Sequence, residues 1–301
     1  MVAKKTPVRK SKKQHTPDYY PVVRKIRLSD NVNGAINGTH AGDAGQLLSI
    51  SNRRLYRYAK LYQLKIDLDI QTAVAGDTIV EVYALANNWD VQRALALAKK
   101  IYDEAYADEL EVAGATSARW RDFRVASGVL NAGILDPTQY DNRTLAENVQ
   151  DVGEHAVSTV DVGGTDMAFT WGAGSGSQID IVNEWIESGR INNDPAVSGT
   201  TAPYAGVNND QMSDKELEAL NSDGNSPPYS STGFSDQLVK VATLYFRPGA
   251  IGMQKLSTGY FDAPCGLFVL KTNVSLGNGT LTMTAKSGDY KGVHALSMCQ
   301  E

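Results

Sequence analysis

Nine lysines and arginines fall within the first 27 residues, the densest concentration of one chemistry in this 301-residue chain. They are Lys4, Lys5, Arg9, Lys10, Lys12, Lys13, Arg24, Lys25 and Arg27, opposed in that stretch by Asp18 alone, a net charge of about +8. The rest of the chain holds 20 bases against 33 acids and is therefore acidic, about −13. A basic tail on an acidic body suits two partners, a polyanion for the tail and water or protein for the body. If all nine cations neutralise phosphates of a single strand, log affinity falls by up to ~6 for each tenfold rise in salt. Extended at ~3.3 Å per residue, the tail reaches about 90 Å. Tyr19 and Tyr20 can stack on bases or anchor the tail to the body. Lys4–Lys13 also suits nuclear localisation. Nothing in the tail is equipped to read a base sequence.

A second basic group, Arg53, Arg54 and Arg57 with Lys60, stands where a long strand is expected to begin. It forms either another polyanion-facing surface or a solvated strand end paired to Asp67 or Asp69. The other reactive residues are less promising. His15, His40, His155 and His294 stand in no metal-ligand spacing. Asp67 and Asp69 share one strand face and could hold a hard cation such as Ca²⁺, but a solvated acidic face is preferred. Gly172–Ser177 imitates a phosphate-binding loop but fails both the dinucleotide and the P-loop patterns. Cys265 lacks an inferable base, and no Gly-x-Ser-x-Gly elbow occurs. Neither a catalytic residue, nor a metal ligand, nor a cofactor is expected, and the chain is not expected to be an enzyme.

The elements that position these groups follow from periodicity. Residues 1–27 read as a disordered basic arm, since almost nothing apolar offsets the ordering entropy. Residues 28–45, rich in glycine, read as a connector, and the ordered body is placed from Gln46 to residue 301. Tyr56, Tyr58, Tyr62, Leu64, Ile66, Leu68 and Ile70 alternate with polar residues, which predicts a long strand with one buried face. A turn at Ala75–Asp77 joins it to a second strand, Thr78–Leu85, as an expected hairpin. Asp90 is placed as N-cap of a helix running to about Val112 and stopped by Gly114. Trp120–Val125, Val149–Val162 and Met167–Trp171 are strand candidates, and Gln178–Ser188 a second helix. Residues 189–235 read as a long loop with a helical stretch near Asp214–Leu220. Val239–Arg247, Gly266–Leu276, Thr280–Lys286 and Gly292–Met298 return to strands, with Gly277–Gly279 as a tight hairpin turn. Strands at both ends with helices between them fit a mainly β fold, a single jelly-roll β-sandwich with inserted helices.

Two cysteines are too few for a disulfide framework. No signal-peptide h-region and no 18-residue apolar run occurs, so neither export nor a membrane partner is expected, and the chain is placed in a reducing interior. The sequons at Asn37, Asn142, Asn273 and Asn278 are expected to stay unmodified.

The order of segments resembles the coat proteins of small circular single-stranded DNA viruses that encode a replication initiator, together with their metagenomic relatives. The residues that carry the likeness are the basic arm, Arg53–Tyr58, Val82–Leu85 with Asn88-Trp89, Ala118–Val125, Ala263–Leu267 and Gly288–Ala295. It is scattered over most of residues 46–301. The resemblance implies a single jelly-roll subunit that forms an icosahedral homo-oligomer around a single-stranded genome, DNA in preference to RNA. Its place would be the virion, with assembly in the host nucleus or cytoplasm. A non-viral β-sandwich module that binds nucleic acid or carbohydrate is the alternative, and an enzyme on such a scaffold a more distant one.

Overall fold

Alternating burial along residues 56–70 sets the architecture. Tyr56, Tyr58, Tyr62, Leu64, Ile66, Leu68 and Ile70 are all buried, as their spacing predicts, but the strand begins only at Lys60, and Tyr56 and Tyr58 are buried from the irregular link before it. The computed structural model describes residues 21–29, 38–70, 77–113, 122–123, 125, 133–134, 139–140, 143–144, 161–162, 165–168, 178–188, 237–247, 253–274, 276 and 279–298. Eight strands carry the body: β1 (Lys25–Ser29), β2 (Thr39–Asp43), β3 (Lys60–Ile70), β4 (Thr78–Leu85), β11 (Leu238–Phe246), β12 (Gln254–Pro264), β13 (Leu267–Thr272) and β14 (Gly279–Ala285). Short strands accompany them: β5 (Gly133–Ile134), β6 (Gln139–Tyr140), β7 (Arg143–Thr144), β8 (Asp161–Val162), β9 (Thr165–Ala168), β10 (Gln178–Asp180) and β15 (Ala295–Ser297). The helices are α1 (Ala44–Asn52), α2 (Trp89–Ala113) and α3 (Ile181–Ser188).

One sheet runs β12-β3-β14-β1-β6-β7, with β15 also on β3, and the other β11-β4-β13-β2-β5; β8, β9 and β10 form a small third sheet. The two large sheets are antiparallel apart from the short β2–β5 contact. Their inner faces share one core, in which Ile26, Leu64, Leu68 and Met283 of the first meet Val80, Val82, Phe246, Phe268 and Leu270 of the second. The protein is thus mainly β and a β-sandwich. The eight strands pair as nested antiparallel partners: β1 with β14, β2 with β13, β3 with β12 and β4 with β11.

That nesting overturns both expected hairpins. β3 and β4 lie in different sheets, and so do β13 and β14 across Gly277–Gly279. Each strand has one apolar face, and crossing to the facing sheet lets consecutive strands bury those faces against each other. A hairpin would have placed them side by side. Local turn chemistry carries no information about that choice.

The proposed boundaries shift as well. Lys25–Ser29 is a strand between β14 and β6, with Ile26 and Leu28 buried, so the arm cannot extend to residue 27. Residues 28–45 are not simply a connector, because they include the end of β1, all of β2 and the start of α1. Gly42 serves close packing there, since a Cβ on it would lie 2.1 Å from the Phe268 ring. α1 is capped by Asp43, whose carboxylate accepts from the Gln46 amide at 3.0 Å, and it ends at Arg53 in left-handed conformation (φ 50°).

α2 begins at Trp89, one residue before the cap assigned to Asp90, and packs Val91, Ala94, Leu95, Ala98 and Tyr102 inward, while Ile101 and Val112 are exposed. Residues 178–188 are strand β10 followed by α3, not one helix; Asp180 caps α3 through the Val182 amide at 3.0 Å. Asp122, Phe123 and Val125 lie outside any strand, yet Phe123 and Val125 join a second core of α2, α3, Cys265 and Leu267. Strand β12 and helix α1 had no counterpart in the sequence reading. Gly114, the Gly172–Ser177 loop and the 189–235 region lie outside the described residues. Among the described residues no helix is long and apolar enough to cross a membrane.

Candidate nucleic-acid interface

The nested pairing gathers distant segments at one end of the sandwich. There the start of β1 sits beside the end of β14, and the start of β3 beside the end of β12. The links at residues 44–59, 265–266 and 286–294 therefore share that end, and the Ala44 amide bonds the Gly266 carbonyl across it. The chain entering β1 is pinned to the same place. Asn52, the last residue of α1, accepts from the Val23 amide at 2.8 Å and donates to the Val23 carbonyl at 3.0 Å. Val22 packs over Gly292.

On this end lies a cationic cluster. Arg54 and Arg57 are exposed, Arg57 with 61% of its side chain accessible. The Lys60 ammonium stands 4.6 Å from the centroid of the Tyr290 ring, and that of Lys291 lies 5.4 Å from the same ring and 5.8 Å from that of Tyr56. Lys291 also donates to the Leu55 carbonyl, Tyr56 donates its hydroxyl to the Lys291 carbonyl at 3.0 Å, and the Arg57 amide donates to the Tyr290 hydroxyl at 3.0 Å. Arg24 reaches the Gly292 carbonyl at 3.5 Å.

These cations repel one another. Burial lowers the Lys60 ammonium below the usual lysine range, and Arg57 lowers it further. Burial likewise lowers Lys291, followed by the fields of Arg54 and Arg57, with Lys60 adding to them. The carboxylate opposing this field at both lysines is Asp122, which accepts from the Tyr58 amide at 3.1 Å and faces Arg57 at 3.9 Å. Burial raises the Asp122 carboxyl above the usual carboxylate range, against the Tyr58 amide and Arg57.

The expected site residues divide accordingly. Lys4, Lys5, Arg9, Lys10, Lys12 and Lys13 lie outside the described residues, as do Tyr19 and Tyr20. Arg54 and Arg57 form the cluster with Lys60, and Arg24 sits at its margin. Arg53 caps α1 and is exposed. Lys25 and Arg27 are exposed on the outer face of β1, beside Thr284 and Thr282 of β14. Arg57 pairs with Asp122, not with Asp67 or Asp69; Asp67 pairs with Lys65 at 3.0 Å. Among the described residues no group of three or more His, Cys, Asp or Glu could hold a metal ion. Cys265 is buried in the β12–β13 turn.

Sequence reasoning missed Lys291, Tyr290 and Asp122 as members of the site. Lys291 is separated from Arg57 by more than 230 positions, and only the pairing of strands at opposite ends of the chain joins them. No family model, curated protein or solved structure matches this chain.

Proposed function

We propose that this chain is a coat protein that self-assembles into an icosahedral shell and packages a single-stranded genome, DNA in preference to RNA, through its basic N-terminal segment. The observation that carries the proposal is the nested strand order. Four antiparallel pairs, first strand with last and inward from there, form a ribbon wound across two four-stranded faces, β12-β3-β14-β1 and β11-β4-β13-β2. Six of the seven links between consecutive strands of this set cross from sheet to sheet. That winding supports reading the sandwich as a jelly roll, an arrangement that viral capsid domains share with lectins and cupins. The helices fall in the one link that stays within a sheet, between β4 and β11, apart from α1 in the β2–β3 link.

Charge placement supports the genome-binding half. The described chain begins at Pro21, and Val23 is pinned to Asn52 at the end of the sandwich that carries Arg54, Arg57, Lys60 and Lys291, so the basic N-terminal sequence is joined to the fold at its cationic end. Self-association is supported by the sheet edges. β11 and β12 are edge strands on the same side of the sandwich, and Val239, Val241, Tyr245 and Tyr260 are exposed there. No catalytic role is proposed.

The test is electron microscopy of purified protein with analysis of nuclease-resistant nucleic acid. Closed particles containing protected single-stranded nucleic acid are expected. Removing residues 2–20 should leave particles or folded subunits without nucleic acid. Small oligomers at every concentration, salt and pH would replace the shell with a β-sandwich binding module.

A further inference from the structure

We propose that Arg54, Arg57, Lys60 and Lys291 form a phosphate site for the polynucleotide backbone in which Asp122 is a resident competing anion. The inference rests on the nucleic-acid reading above and adds a regulator to it. Four cations from two distant segments share one end of the sandwich, and the Asp122 carboxylate acts on both of its lysines. Its hold on Arg57 is loose, 3.9 Å, and the guanidinium keeps 61% of its side chain in solvent, whereas the Asp122 side chain is 10% exposed. The Asp122 carboxylate is also held by backbone amides, accepting from Tyr58 at 3.1 Å and from Phe123. The solvent side of Arg57 is therefore open to an oxyanion, which an arginine fork can bind in bidentate fashion. Lys60 and Lys291, already stacked against Tyr290, need little reorganisation to join it.

A phosphate arriving there relieves repulsion among the cations but meets the negative charge of Asp122. Protonation of Asp122 removes that opposition. Because burial raises this carboxyl, it takes its proton at higher pH than an ordinary aspartate, and phosphate affinity rises as pH falls through that range. The groups facing it are Arg57 and the Tyr58 amide from the α1–β3 link, Lys60 and Tyr62 from β3, Tyr290 from the segment after β14, Lys99 from α2 and the neighbouring Phe123 amide; the fields of Arg54 and Lys291 reach the same cluster. Asp122 is thus a brake that weakens at acidic pH.

The experiment measures binding of a labelled hexathymidylate to the full chain by fluorescence anisotropy, across pH, for the parent and for Asp122→Asn, Arg57→Gln and Lys291→Gln. Asp122→Asn is expected to bind about tenfold more tightly at neutral pH, the equivalent of one pKa unit, with the gap closing as pH falls into the carboxylate range. Arg57→Gln and Lys291→Gln should each weaken binding severalfold. A folded Asp122→Asn protein that binds no more tightly than the parent overturns the brake. If that variant does not fold, unchanged affinity in folded Lys291→Gln overturns the site. Inorganic pyrophosphate is titrated as a competitor, and displacement of the oligonucleotide at equal affinity would overturn the polynucleotide assignment. Absence of particles in the microscope, with these affinity changes intact, would sink the shell and leave the site standing.

Discussion

Gly42 and Phe268 are directly paired across β2 and β13, and the ring lies over the glycine backbone. A methyl at position 42 would sit 2.1 Å from a ring atom of Phe268, far inside van der Waals contact, so either the ring or the strand must move. Gly42→Ala is expected to cost about 3 kcal/mol, the upper end for overpacking a core. Phe268→Leu in the same chain should recover part of that loss, because a smaller side chain vacates the clash. Chemical denaturation of the two single variants and the double variant checks it; additive losses would exclude the contact. At the same scale, the left-handed backbone at Arg53, Cys265 and Lys291 marks the tight turns that bring the cationic end together. Lys291 is one of the residues that both turns the chain and carries charge into the cluster.

At the scale of elements, the decisive strand is β1. It was legible as basic sequence, but its two apolar residues, Ile26 and Leu28, are too few for a periodic signal, and strand assignment came only from the partner β14. Its backbone bonds to β14 and β6, and Ile26 and Leu28 sit in the core. Truncation should therefore show a sharp boundary. A chain lacking residues 2–20 is expected to melt within a few degrees of the parent, whereas one lacking residues 2–28 loses two buried aliphatic side chains, about 4 kcal/mol in burial alone, and one strand of pairing. Circular dichroism melting separates the two, and equal melting temperatures would remove β1 from the fold. β3, by contrast, was readable in advance. Five apolar residues at period two, Tyr62, Leu64, Ile66, Leu68 and Ile70, leave one face that water cannot solvate, whatever the partner.

At the scale of the whole molecule, charge is segregated. The first 27 residues and the cluster around Arg57 are basic, while the remainder of the chain is acidic. Polyanion binding should accordingly be steeply salt-dependent. Replacing Lys4, Lys5, Arg9 and Lys10 with glutamine removes four cations, so the slope of log affinity against log salt for a single strand should flatten by roughly 3. Filter binding over a range of salt concentrations measures this. An unchanged slope would transfer the polyanion contact from the tail to the folded body.

Composition and local pattern were enough to establish a mainly β chain, the β3 and β4 strands, the helical run in α2 and the charge asymmetry. Each depends on neighbours in sequence, through side-chain alternation or simple proximity of like charges. Sheet membership, the ordered β1, and the meeting of Arg57 with Asp122, Tyr290 and Lys291 required the tertiary structure. Those contacts join residues 65 to more than 230 positions apart, and the burial of two sheet faces against each other selects them; no turn or motif encodes that selection.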